Sequence, residues 1–141
     1  MGQFAPRHIE MLESPAYRVL SQSAHRVLAR VEIELAHHGG TDNGRLPVTY
    51  DNFEHYGIDR HSIRPAIDEL VALGFLEITD PGRAGNAEFR RPAKFRLTHR
   101  PAHKADPTHE WKRIQTIEEA SVLAKRARQK NKKPVGDFTG G

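Results

Sequence analysis

Apolar residues recur with a helical period through the first part of the chain. Ala24, Val27, Leu28, Val31 and Leu35 stand at offsets of three, four, seven and eleven, which lays one continuous stripe along a helix. Ser21 offers a start signal and Gly39 with Gly40 a stop, so the spacing predicts a helix over residues 21–38. Ile33 falls off the stripe and is left for the preceding short helix or a second subunit. That short helix is predicted from Pro15 to Leu20, because Ser14 is a capping residue and Pro15 suits the first helical position. Residues 1–13 read as an N-terminal arm.

A second helical pattern follows the turn residues Thr41 to Gly44 and the segment Leu46 to Thr49, which Pro47 restricts to a short edge strand. Thr49 starts a short helix that buries Phe53, Gly57 opens a tight turn, and Ile58, Ile63, Ile67 and Leu70 then recur at helical spacing. Two short helices joined at a glycine leave Arg60, His61 and Arg64 facing outward near the start of the second. Asp59 is predicted to cap that second helix in preference to Ser62, which would place Pro65 in the first turn at little cost. Pro65 then falls at its sixth position, where the missing N–H and the ring clash predict an irregular or kinked first turn.

Beyond Leu73 the period changes to two. Phe75 to Thr79 and Phe95 to Leu97 alternate apolar with polar, and residues 80–86 between them are rich in turn formers, so a hairpin with a long tip is predicted. Arg83, Asn86, Arg90 and Arg91 sit on that tip and its descending side, where Gly82 and Gly85 keep the backbone slim. Residues 99–115 read as a linker anchored by Trp111, the only tryptophan. Thr116 and Glu119 form a capping box, and the helix predicted over residues 116–133 carries Ala120, Leu123, Ala124 and Ala127 on one weakly apolar side. Its end is basic, with Lys125, Arg126, Arg128, Lys130, Lys132 and Lys133; packing on a neighbouring subunit, lying on nucleic acid and fraying are all open to it. Residues 134–141 are expected to form a disordered tail.

Charge changes the picture more through its distribution than its sum. The net charge of +4 divides into 7 Lys and Arg against 12 Asp and Glu over residues 1–80, and 15 against 6 over residues 81–141. The second part is where a polyanion would dock. With no cysteine, disulfides and thiolate zinc sites are excluded. No apolar run reaches the roughly 20 residues of a membrane span, and the N-terminus lacks the apolar core of a signal peptide, so a cytoplasmic protein is expected. Met1 and Gly2 suggest myristoylation, but Pro6 stands where that pattern wants Ser or Thr. The nine histidines are scattered, without the His-Glu-x-x-His spacing, and no glycine-rich phosphate loop follows a strand. Neither metal, cofactor nor enzymatic activity is expected, and no pattern builds a pocket for a small-molecule effector.

From about Ser21 to Thr98 this order of elements resembles a winged helix-turn-helix domain, most specifically through Leu70 to Ile78 and Phe95 to Thr98. The resemblance implies a mainly α fold with a small β-hairpin wing, its strands running from Phe75 to Thr79 and from Ala93 to Thr98, here with an extra N-terminal helix and a C-terminal basic helix. It also implies double-stranded DNA as partner. Arg60, His61, Ser62 and Arg64 would then belong to the recognition helix, with Arg60 and Arg64 suited to bidentate contacts with guanine O6 and N7. Arg83, Asn86, Arg90 and Arg91 would serve the wing, and Thr49, Tyr50 and Lys94 would hydrogen-bond phosphate. Proteins of this look include repressors and the replication initiators of plasmids and phages. A homodimeric transcriptional regulator is the leading expectation; a replication initiator or recombination accessory factor, a protein-interaction winged helix and a binder of structured RNA are the alternatives.

Overall fold

The computed structural model describes residues 2–84 and 90–130; Gly85, Asn86, Lys132, Lys133 and the tail over residues 134–141 lie outside the described residues. Among the described residues the fold is mixed α and β, with six α-helices and one three-stranded antiparallel sheet. In chain order these are α1 (Ile9–Glu13), α2 (Pro15–Arg18), α3 (Gln22–His37), β1 (Leu46–Val48), α4 (Tyr50–His55), α5 (Arg60–Ala72), β2 (Leu76–Asp80), β3 (Ala93–Leu97) and α6 (Ile117–Gln129). A 3-10 turn at Glu110–Arg113 precedes α6.

The helix starts follow their caps. Ser14, Ser21, Thr49 and Thr116 each accept a hydrogen bond from the backbone N–H three residues on, and Asn52 returns the bond to the Thr49 amide as a capping box. Helices α3, α4 and α5 all end in the same way. The second residue past each C-cap donates to a carbonyl five residues back, as in Phe75 N–H to Leu70 O at 2.9 Å and Ile58 N–H to Phe53 O at 3.2 Å. That closure requires a left-handed residue between, and Gly57 (φ 109°) and Gly74 (φ 85°) supply it.

The core lies between α3, α5 and the sheet. The α3 stripe of Ala24, Val27, Leu28, Val31 and Leu35 is buried, as are Phe53, Ile58, Ile63, Ile67 and Leu70 from the α4–α5 pair and Phe75, Leu76, Phe95 and Leu97 from the hairpin. Strand β1 occupies one edge, β3 the centre and β2 the other edge, with Leu46 opposite Phe95 and Leu76 opposite Leu97. A register shift between Ile78 and Asp80 sets a bulge where the hairpin leaves the core. Buried Asn43 closes the β3 end, accepting from Leu97 N–H at 2.7 Å and donating to Leu97 O at 2.9 Å.

Three regions depart from the sequence expectations. Residues 1–13 are no loose arm: α1 buries Met11, and Arg7 forks onto both carboxylate oxygens of Glu32 while donating to the Tyr17 hydroxyl at 2.7 Å. Asp59 stands at the N-cap position of α5 but its side chain makes no capping bond. The first turn of α5 instead closes through Ser62 N–H to Asp59 O at 2.8 Å, and the helix runs on through Pro65. Finally, α6 packs on α5 of its own chain, burying Ala120, Ala124 and Ala127.

Two buried carboxylates tie these segments to the core. Glu32 sits on the α3 stripe between Leu28 and Leu35, bonded by Arg7 and by His99 Nε2 at 2.9 Å. Burial alone would push its carboxyl up, but the hydrogen bonds from His99 and Arg7 outweigh that and hold it below the usual carboxylate range. A carboxylate depressed in the fold stabilises fully above its unfolded value, about 4.3, and loses that contribution as pH falls through the folded value. Denaturant melts of the Glu32→Gln variant and the parent should therefore differ most at pH 6 to 7, and the difference should shrink as pH falls below about 4.3; a difference that stays constant into acid would contradict the assignment. Glu69 of α5, fully buried, accepts from Ser21 N–H at 2.7 Å, Ser21 Oγ at 3.0 Å and Arg128 Nη1 at 3.0 Å, joining α3, α5 and α6 at one point.

Candidate nucleic-acid interface

Helix α5 is covered along most of its length. Ala66 to Leu70 are buried against α3, β2 and α6, so its exposed polar surface is confined to the first turns, at Arg60, His61 and Arg64. These turns are held in place from behind: Arg26 on α3 donates to Gly57 O at 2.9 Å, fixing the corner between α4 and α5.

One groove of about 390 Å³ lies between those turns and the β2–β3 hairpin. Thr49, Tyr50, Arg60, Arg64, Arg83, Arg90 and Arg91 line it, so residues far apart in sequence converge on one surface. Lys94 does not line it; it stands opposite Asp80 across the bulge. His61 and Ser62 do not line it either. They face a second groove of about 510 Å³ on the other flank of α5, formed with the start of α3 and the end of α6. The predicted recognition residues are therefore exposed on one turn but divided between two concavities. Asn86 lies outside the described residues.

The arginines are not bare. Arg60 lies over the Tyr50 ring at 5.6 Å and donates to Asp51 at 2.8 Å and Glu54 at 3.4 Å. Asp51 is held below the usual carboxylate range, chiefly by its hydrogen bond from Arg60, and Arg60 is held more firmly protonated by the same bond. Arg64 donates to Asp68 at 3.1 Å, which is the main reason its protonated form is favoured, with Tyr50 contributing. Arg91 grips Asp80 through two bonds of 3.1 Å, and the Gly82 amide adds a third to the same carboxylate; together they lower the Asp80 pKa, Arg91 most. The backbones of Arg83 and Arg91 exchange hydrogen bonds of 2.7 and 2.8 Å, which sets the two strands of the hairpin side by side above the groove. The pairs of Arg60 with Asp51 and Glu54 are exposed and add little net stability, whereas Asp68 under Arg64 is buried. The groove is thus a set of forked cations held in register by neighbouring carboxylates.

No protein-family model matches the chain, and no curated protein or solved structure proves similar to it. The functional reading rests on the arrangement of its own side chains.

Other candidate chemistry is thin. His38 bridges Glu34 and Asp42 at 2.9 and 3.0 Å, and both hydrogen bonds raise its pKa, Asp42 most. His25 packs against Tyr17, and burial followed by the Arg7 charge lowers its pKa. Among the described residues no group of three His, Asp or Glu is placed to hold a metal ion, and no helix is long and apolar enough to cross a membrane. Sequence reasoning missed Glu69 and Glu32. The available signal was their position: each lies at a core offset of its helix, Glu32 four residues after Leu28 and Glu69 three after Ala66, where a charge requires a partner.

Proposed function

We propose that the protein is a sequence-specific double-stranded DNA-binding protein of winged-helix type, working as a homodimeric transcriptional regulator. The first turns of α5 enter the major groove, and the β2–β3 hairpin acts as the wing, with Arg83, Arg90 and Arg91 on phosphate or in the minor groove. The observation that carries this reading is the convergence of Arg60 and Arg64 with the hairpin arginines on one groove. Restriction of the exposed polar surface of α5 to its N-terminal turns supports it, since those turns are the ones that reach base edges in a helix-turn-helix.

Arg64→Ala is expected to weaken specific binding by about 1–3 kcal/mol and to relax preference at one base pair, while binding to random DNA changes far less. Electrophoretic mobility shifts on matched and mismatched duplexes read both effects, and equal loss on every sequence would remove Arg64 from base readout. Selection from a random duplex pool tests the whole reading. A palindrome with half-sites about 34 Å apart is the expected product; tandem direct repeats would point to a replication initiator, and preference for duplex RNA to an RNA binder. A flat response of affinity to salt, in place of a log–log slope of about −5, would leave a protein-interaction module.

A further inference from the structure

We propose that the duplex is held from both flanks of α5, one phosphate ridge lying in the arginine groove and the other in the second groove, where the end of α6 supplies Lys125 as its phosphate contact. This rests on the duplex-DNA reading above and assigns α6 a part in it.

An α-helix with its side chains is about 10–12 Å across, and the major groove is about 12 Å wide. A helix seated there meets a sugar-phosphate ridge on each side. Here both flanks of the exposed turns of α5 are concave: Arg60 and Arg64 face one groove, while His61, Ser62 and Pro65 face the other. The far wall of the second groove is the end of α6, which brings Lys125, Arg128 and Gln129. None of the residues lining this groove is acidic, whereas Asp51 lines the arginine groove. With Arg128 paired to Glu69, the charge this groove presents is that of Lys125, beside the polar side chains of Ser23, His61, Ser62 and Gln129.

Helix α6 holds Lys125 in a fixed place. Its alanine face is buried on the core, and Arg128 is committed to the buried carboxylate of Glu69. Lys125 itself is exposed and makes no ion pair among the described residues. Cations in the last turn of a helix complement its dipole, which accounts for Arg126 and Arg128. Lys125 precedes that turn, so the dipole does not explain it. A phosphodiester is the partner of matching charge that a concavity beside a major-groove helix would meet.

The test compares the full chain with its Lys125→Ala, Arg126→Ala and Arg64→Ala variants, measuring affinity for the selected duplex and for random duplex across a salt series. Lys125→Ala is expected to weaken binding to both duplexes by the same factor and to reduce the log–log salt slope by about 1. Arg126, exposed on the same helix but outside the groove, should leave the slope unchanged when replaced. Equal slope losses from Lys125→Ala and Arg126→Ala would mean a diffuse basic field and overturn the assignment. An unchanged slope in Lys125→Ala, with Arg64→Ala still impaired, would overturn this inference while the duplex reading stands. No binding to either duplex by the parent would overturn both. Lys125 is exposed, so thermal melts of Lys125→Ala should match the parent.

Discussion

Gly74→Ala is expected to lower stability by about 3–5 kcal/mol, enough to bring the melting temperature down by about 10–20 °C. Two costs coincide at this residue. Its φ of 85° is one that L side chains rarely adopt. A Cβ there would also lie 2.6 Å from both the Glu110 carbonyl carbon and the Trp111 nitrogen, with backbone on both sides of the contact and no flexible side chain to yield. Gly57→Ala separates the two costs, because its φ is equally positive while the nearest atom to a new Cβ is the Arg26 guanidinium at 3.5 Å. That variant should lose only about 1–2 kcal/mol. The single tryptophan reports the damage directly: Trp111 is buried and stacked on Phe75 with centroids 6.4 Å apart, so its emission should shift to the red in Gly74→Ala before global unfolding. Equal losses from the two glycine variants would show that the close approach of the segment at Glu110 and Trp111 contributes nothing.

Glu69→Ala is the second large effect, at about 3–4 kcal/mol. Substitution removes a carboxylate that is fully buried and leaves the Ser21 amide without an acceptor at the start of α3. Arg128, 40% exposed, can turn to water, which keeps the loss below that of a fully buried pair. Glu69→Gln preserves volume but keeps a single acceptor oxygen, its amide NH2 facing one of the donors, so it should cost less than Glu69→Ala without matching the parent. Amide hydrogen exchange along α6 should accelerate in both variants, since Arg128 is its ion pair to α5. Protection of α6 equal to that of the parent would mean that its alanine face alone holds it.

Much of the fold is legible in the chain because its signals are local. The caps at Ser14, Ser21, Thr49 and Thr116, the stop after residue 38 and the period change beyond Leu73 each depend on a few neighbouring residues, and the observed elements begin and end within a residue or two of those marks. What was not legible depends on partners remote in sequence. Residues 1–13 carry no period of their own; they are ordered because Met11 finds the core and Arg7 finds Glu32. The place of α6 follows from Arg128 meeting Glu69 across 59 residues, which no window of sequence displays. The candidate site divides in the same manner. Arg60 and Arg64, four residues apart on one helix, were bound to share a face, but their meeting with Arg83, Arg90 and Arg91 depends on how the hairpin leans. The assignment of His61 and Ser62 to the opposite flank depends on where α6 comes to rest.

The strand order has a consequence for how the chain is made. Among the described residues, strands β1 and β2 pair only with β3, which is the last of the three to leave the ribosome. A nascent chain that has reached Asp80 carries two strands with open edges and no means of satisfying either, the condition that invites association between growing chains. The arginine-bearing stretch of sequence over residues 81–92 is thus also an interval of waiting. It carries three arginines against one glutamate, and like charge on neighbouring chains opposes their association.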